Sequence, residues 1–211
     1  MDFPALIHRL EHRLKQPLPG LEAQRQMIPA DRPARGVPAE IPATAKRSAV
    51  LLLLYPEGGL AHLPMILRNT YKGVHSAQVG LPGGQAEEGD ADEEATALRE
   101  AWEEIGIERQ HVQVLGRLSP LYIPVSNFHV QPIVGMLDFR PDFMPDPAEV
   151  AELLPTSLAE FHKPEIRVTQ SVTVGGNLRM NVPGFWLHDR LVWGATAMIM
   201  SEFLEVAGVR V

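Results

Sequence analysis

The chain has 211 residues, with 19 Lys and Arg against 26 Asp and Glu, a net charge of −7 and no cysteine. That length suffices for one sizeable core. Lack of cysteine excludes disulfides, thiolate chemistry and zinc–sulfur sites. The acidic balance disfavours non-specific nucleic-acid binding, yet leaves room for a small anionic substrate in a locally basic cleft.

No stretch approaches the roughly 18 apolar residues of a membrane span. Charge runs throughout the N-terminus, so no signal peptide is evident. A cytoplasmic protein with no membrane and no nucleic-acid partner is the expectation.

Phe3, Leu6, Ile7, Leu10 and Leu14 fall at helical spacing, which predicts a short amphipathic helix over 3–14. It would dock on the domain or on a partner subunit, and Pro17 and Pro19 end it. Residues 20–44 carry Pro29, Pro33, Pro38 and Pro42 with little periodicity, an extended lead-in. We therefore divide the chain into 1–45, helix and lead-in, and 46–211, one catalytic-sized domain. The apolar run from Ala49 to Leu54 has strand length and suits the centre of a sheet. His62–Arg68 is the next strand of a hairpin, and Pro64 argues for an edge position at its start.

Arg68, Lys72 and His75 then lead into Leu81-Pro82-Gly83-Gly84, a strand exit and glycine turn. Such a basic patch can hold phosphates, and Arg68 and Lys72 as simply solvated charges account for it equally. Asp90 can cap a helix over 91–105, with Glu93 completing a capping box, and Gly106 stops it. At 100° per residue, Ala95, Leu98, Ala101, Trp102 and Ile105 share an apolar side that should bury against the sheet. Glu100, Glu103 and Glu104 share the opposite side. Their mutual repulsion would be relieved by a hard divalent cation, and oxygen ligands suit Mg²⁺ or Mn²⁺. A solvated acidic face accounts for the same triplet. Arg99 either clamps one of the carboxylates or is an ordinary surface charge.

Further on, Val112–Leu115 reads as a short strand. Leu121–Val130 is a loop returning into a strand through Met136, with Ser126, Asn127 and His129 beside Tyr122 and Phe128, a mixture suited either to a small-ligand pocket or to a turn with incidental polar residues. Residues 141–147 form a loop. Glu149, Val150 and Glu152–Leu154 open a short helix or turn. Ile166–Val174 is a strand or irregular ribbon, Gly175-Gly176 a turn, and an aromatic hairpin turns at His188-Asp189-Arg190. Ala195–Val206 closes the chain as a helix.

The ordered stretch Gly84–Ile107, with Arg99-Glu100, Glu103-Glu104 and Gly106-Ile107 in place, resembles the signature of the Nudix hydrolases. The usual glutamate before the helix is Asp90 here, and eight residues rather than seven separate it from Arg99. That one-residue insertion resembles the coenzyme A diphosphatase branch. So does the upstream Leu67-Arg68-Asn69-Thr70 with His75-Ser76-Ala77-Gln78-Val79-Gly80-Leu81-Pro82-Gly83-Gly84, although Ala77 and Leu81 replace the usual glycine and phenylalanine. Trp193–Ala197 and the Ser126-aromatic loop are similar to the branch as well.

The resemblance implies an α/β fold, a Nudix α/β/α sandwich with a mixed central sheet. It implies Mg²⁺- or Mn²⁺-dependent hydrolysis of a pyrophosphate link in a small nucleotide. For coenzyme A the products would be 3',5'-ADP and 4'-phosphopantetheine. Metal ligands would be Glu100, Glu103 and Glu104. Catalytic residues would be Glu103, Glu104 and Arg99, with Glu149 as the acidic residue outside the box and Glu152 its substitute. Substrate would meet Arg68, Lys72, His75, Gln78, Gly83, Gly84 and Ser126. Alternatives are a hydrolase of ADP-ribose or NADH and a non-catalytic nucleotide-binding protein on the same fold. The N-terminal helix and aromatic tail leave room for a homodimer.

Overall fold

The computed structural model describes residues 1–29, 41–70, 78–174 and 178–209. Lys72, His75 and the Gly175-Gly176 turn lie outside them. The chain opens with α1 (Phe3–Arg13), whose first turn is capped by the Asp2 carboxylate accepting from Ala5 N at 3.0 Å. The lead-in is not wholly irregular, because a one-turn helix α2 (Leu21–Arg25) forms within it. Strands β1 (Lys46–Glu57) and β2 (Leu60–Arg68) make a hairpin, joined where Gly58 and Gly59 take φ of 57° and 78°. Short strands β3 (Val79–Gly80) and β4 (Gly83–Gln85) precede α3 (Glu93–Ile105).

Then follow β5 (Gln113–Arg117), β6 (Leu121–Ile123), β7 (Phe128–Met136) and β8 (Val150–Ser157). A second sheet contains β9 (Arg167–Val174), β10 (Leu178–Leu187) and β11 (Arg190–Trp193), and α4 (Gly194–Ala207) closes the chain. The β10–β11 hairpin turns on His188 and Asp189, both at positive φ, 49° and 57°. That pairing of left-handed residues matches the right-handed twist of the strands.

The main sheet is mixed. β1 runs parallel to β7, from Lys46 opposite Phe128 to Leu54 opposite Met136, and antiparallel to β2 and β4. The continuous apolar run in β1 is explained by burial on both faces. Leu51 and Leu53 pack with Ala97, Leu98, Ala101 and Ile105 of α3 on one side. Leu52 and Leu54 join Phe3, Leu6 and Leu10 of α1 and Phe203 and Leu204 of α4 on the other. Each such leucine contributes on the order of 2 kcal/mol of burial before chain entropy is counted. The layers are thus α3, sheet, then α1 with α4, and the N-terminal helix shares the core of the main domain. Among the described residues no helix is long and apolar enough to cross a membrane.

Three expectations are corrected. Pro64 is not on an edge, because β2 is flanked by β8 on one side and by β1 and β3 on the other. It sits opposite Pro155 and falls between the pairing of β2 with β1 and with β3, so no ladder bond is lost. Residues 150–154 are strand, not helix or turn, because β8 completes the open flank of β2. Trp102 leaves the apolar face and is 58% exposed, while Ala97 and Leu98 take the buried positions.

Between α2 and α4 lies a buried carboxylate. Glu202, fully buried, accepts from Gly20 N at 3.2 Å, Gln24 Nε2 at 2.9 Å and Ser119 N at 3.2 Å. Three N–H donors meet the requirement that a buried charge be hydrogen-bonded.

Candidate active site

Helix α3 is held at both ends. Its N-cap is Asp92, which accepts from Ala95 N at 2.9 Å, and Gly106 at φ 73° terminates it in the left-handed conformation. Asp90, the residue expected to cap, lies just outside the helix and meets Arg99 instead. Arg99 Nε and Nη2 donate to the two Asp90 oxygens at 3.1 and 3.0 Å. Its Nη1 donates to Glu100 at 3.1 Å and Glu103 at 2.7 Å, and Nη2 also reaches Gln85 O at 3.0 Å. The five N–H groups of a guanidinium are thereby all engaged. This bidentate pair holds the Asp90 carboxyl down at about 2 and pushes the Arg99 pKa upward.

A second latch joins the glycine turn to the helix. Glu104, 1% exposed, accepts from Arg68 Nη1 at 2.9 Å and from Gly83 N at 2.7 Å, while Arg68 Nη2 donates to Gly83 O at 2.6 Å. Burial raises the Glu104 pKa to about 7 in spite of Arg68, and burial likewise raises Glu100. Gly83 has φ 151°, and a Cβ there would come within 2.6 Å of Val50 Cα. At Gly84 a Cβ would enter the Glu100 carboxylate, 2.5 Å from its Cδ. The turn therefore lies directly on the acidic helix, which only glycine allows.

Carboxylate oxygens of Glu100, Glu104 and Glu149 lie within 4.8 Å of one another. Glu104 is buried, Glu100 partly so and Glu149 exposed. Glu149 arrives from the start of β8, where Asn69 N donates to its carbonyl at 3.0 Å. Three oxygen donors without nitrogen or sulfur fit a hard divalent cation, and the space above Glu100 that a Cβ would fill is kept open by Gly84. Glu103 stands apart from the three, with its carboxylate on Arg99 and 41% of its side chain exposed. Glu152, the substitute for Glu149, is paired with Arg190 at 2.7 Å instead.

Beside the cluster is a cavity of about 250 Å³ between β1, β4, β7 and the first turns of α4. Arg68, Gln78, Gly83 and Gly84, four of the residues assigned to substrate from the sequence, are among its lining. Ser126 does not, and its hydroxyl is buried without a hydrogen-bond partner, as is His129 Nε2. Sequence reasoning did not assign Ser48, Val130 or Ile199 to the cavity. For Ile199 a signal exists, since it follows Ala195 by four residues on one helix face.

Known proteins agree with this architecture. The NUDIX domain model matches residues 45–169. Nudix hydrolase 22 of Arabidopsis thaliana is 37% identical over 170 residues, which cover 76% of this chain and 55% of that protein. The uncharacterized Nudix hydrolase NudL of Yersinia pestis is 34% identical over 175 residues, covering 79% of this chain and 82% of that one. A crystal structure of a MutT/nudix family protein from Enterococcus faecalis shares the fold at a TM-score of 0.52 and 16% identity, over 80% of this chain and 65% of that chain. The match spans little more than half the length of the two Arabidopsis relatives, 55% and 58%. With the domain model covering more than half of its residues and a mixed sheet under an acidic helix, the chain belongs to the Nudix hydrolase family.

Proposed function

We propose that this chain hydrolyses the pyrophosphate bond of a nucleoside diphosphate derivative with Mg²⁺ or Mn²⁺, and that coenzyme A or an acyl form is its substrate. The observation that carries the reaction is the convergence of Glu100, Glu104 and Glu149 beside the cavity. These three would hold the ion. When bound, a divalent ion neutralises phosphoryl oxygens and lowers the pKa of a water nucleophile.

The chain's own residues do the rest. Arg99 fixes Glu100 and Glu103 from one side, and Arg68 with Gly83 N–H fixes Glu104 from the other. Glu149, the exposed member, accepts the proton of the attacking water as a P–O bond breaks. Glu103 orients the cluster through Arg99. Gly83, Gly84 and Gln78 border the diphosphate.

Coenzyme A is favoured by the Arg68–Gly84 stretch and the insertion before Arg99. The products would be 3',5'-ADP and 4'-phosphopantetheine. One observation favours a second reading, a substrate such as ADP-ribose or NADH. One N–H on each Nη of Arg68 is already bonded, to Glu104 and to Gly83 O, so part of its guanidinium serves the glycine turn and not a 3'-phosphate. A panel of coenzyme A, acyl-coenzyme A, ADP-ribose and NADH with each metal, with products identified by mass, tests both. Turnover of coenzyme A at least tenfold more efficient than of the others supports the first. No turnover of any of them removes the assignment.

A further inference from the structure

The cavity wall opposite the glycine turn is built by residues that lie outside the matched domain. The family model ends at residue 169, whereas Ala195, Thr196 and Ile199 come from α4. The only charged residue among the described lining is Arg68, whose Nη atoms are bonded to Glu104 and Gly83 O. Ser48 is partly satisfied by donating to His129 O at 3.2 Å. Most of the remaining surface is apolar, with Val50, Phe128, Val130 and Ile199 prominent. Arg68 is already ion-paired with Glu104, so a charged group entering this space would lose hydration and meet only a shared counter-charge. An uncharged, partly apolar group with one or two hydrogen-bonding atoms would fit it.

We infer that α4 sets the substrate specificity of this chain, with Thr196 as the specificity residue, by closing the cavity around the uncharged moiety attached to the diphosphate. This rests on the proposed reaction. The diphosphate belongs at the glutamates, and Gly84, packed on Glu100, is the point where cluster and cavity meet. The moiety bonded to the diphosphate must then extend toward α4. Thr196 is half-buried and faces this space beside Gly80, whose added Cβ would be 3.9 Å from Thr196 Oγ1. A threonine at this lining position carries both a methyl group and a hydroxyl. Ile199, buried one turn further, sets the depth.

The test compares Thr196→Phe, which fills the cavity, and Thr196→Val, which removes only the hydroxyl, with wild type on dephospho-coenzyme A and ADP-ribose. These two share an adenosine diphosphate and differ in the attached arm. Thr196→Phe should raise KM at least tenfold with kcat within threefold, and Thr196→Val should raise it a few-fold. Calorimetric Mg²⁺ affinity should not change in either. A rise confined to dephospho-coenzyme A places the pantetheine arm in the cavity, and an equal rise for both places the adenine there. Either supports the assignment. Unchanged KM for both substrates in both variants overturns it, as does loss of Mg²⁺ affinity in Thr196→Val, which would mark a structural effect. If wild type turns over neither compound, that result bears on the proposed reaction, which its own substrate panel decides, and not on α4. Calorimetric binding of the same two compounds to the same variants then decides the role of α4, and unchanged affinities overturn it.

Discussion

Replacing Asp90 by Asn isolates the latch that holds the acidic helix α3. Asp90 is only 7% exposed and shares two hydrogen bonds with Arg99. Its carboxyl is lowered from 3.8 to about 2, chiefly by those bonds. That difference corresponds to about 2.4 kcal/mol of folding stability at neutral pH. Because the folded value is the lower one, the stabilisation is complete above pH 4 to 5 and is lost as pH falls from about 4 toward 2. At pH 3 roughly half should remain, about 1.3 kcal/mol. Urea denaturation of wild type, Asp90→Asn, Arg99→Met and the double variant at pH 7 and pH 3 measures this. The double-mutant cycle should give a coupling of about 2 kcal/mol at pH 7, falling to about half at pH 3. A coupling under about 0.5 kcal/mol at pH 7, the range of an exposed pair, would refute the reasoning. So would a coupling that does not change with pH.

Four further outcomes are expected. Gly84→Ala should weaken Mg²⁺ binding at least tenfold by calorimetry while shifting the urea midpoint little, because the added methyl meets the movable Glu100 carboxylate. Gly83→Ala should cost roughly 3 kcal/mol or more in the same denaturation assay, since its methyl meets the β1 backbone and its φ of 151° suits glycine alone. Glu104→Gln should lower kcat by at least about 10³-fold, with a smaller loss for Glu103→Gln, whose parent carboxylate lies outside the cluster. Mg²⁺ affinity should fall as pH drops below about 7, by up to about tenfold per pH unit, because the Glu104 proton must leave before its oxygen can ligate. A pH-independent affinity between pH 5 and 7 would contradict that role.

Much of the fold is written locally. The run Ala49–Leu54 signals a strand covered on both faces, and the Glu93–Ile105 helix with its Gly106 stop is legible from spacing alone. What spacing does not carry is the partner across the sheet. Pro64 reads as an edge signal because sequence cannot show that its neighbour is Pro155. Residues 150–154 read as helix or turn because the open flank of β2 is a long-range fact. At the site, helical spacing groups Glu100, Glu103 and Glu104 correctly on one side. It does not show that Arg99 draws Glu103 outward while Gly83 draws Glu104 inward. Arg68 is legible as a cation near the site, but its service to Glu104 rather than to free substrate depends on where the glycine turn lands.

The Glu202 carboxylate binds the first 29 residues to the working part of the molecule. A chain shortened to begin at residue 46 would strip away Gly20 and Gln24, leaving that anion with Ser119 N alone inside hydrocarbon. The same helix supplies Thr196 and Ile199 to the cavity, so damage behind it would be felt in front. The amino-terminal segment is thus a brace behind the helix that walls the cavity.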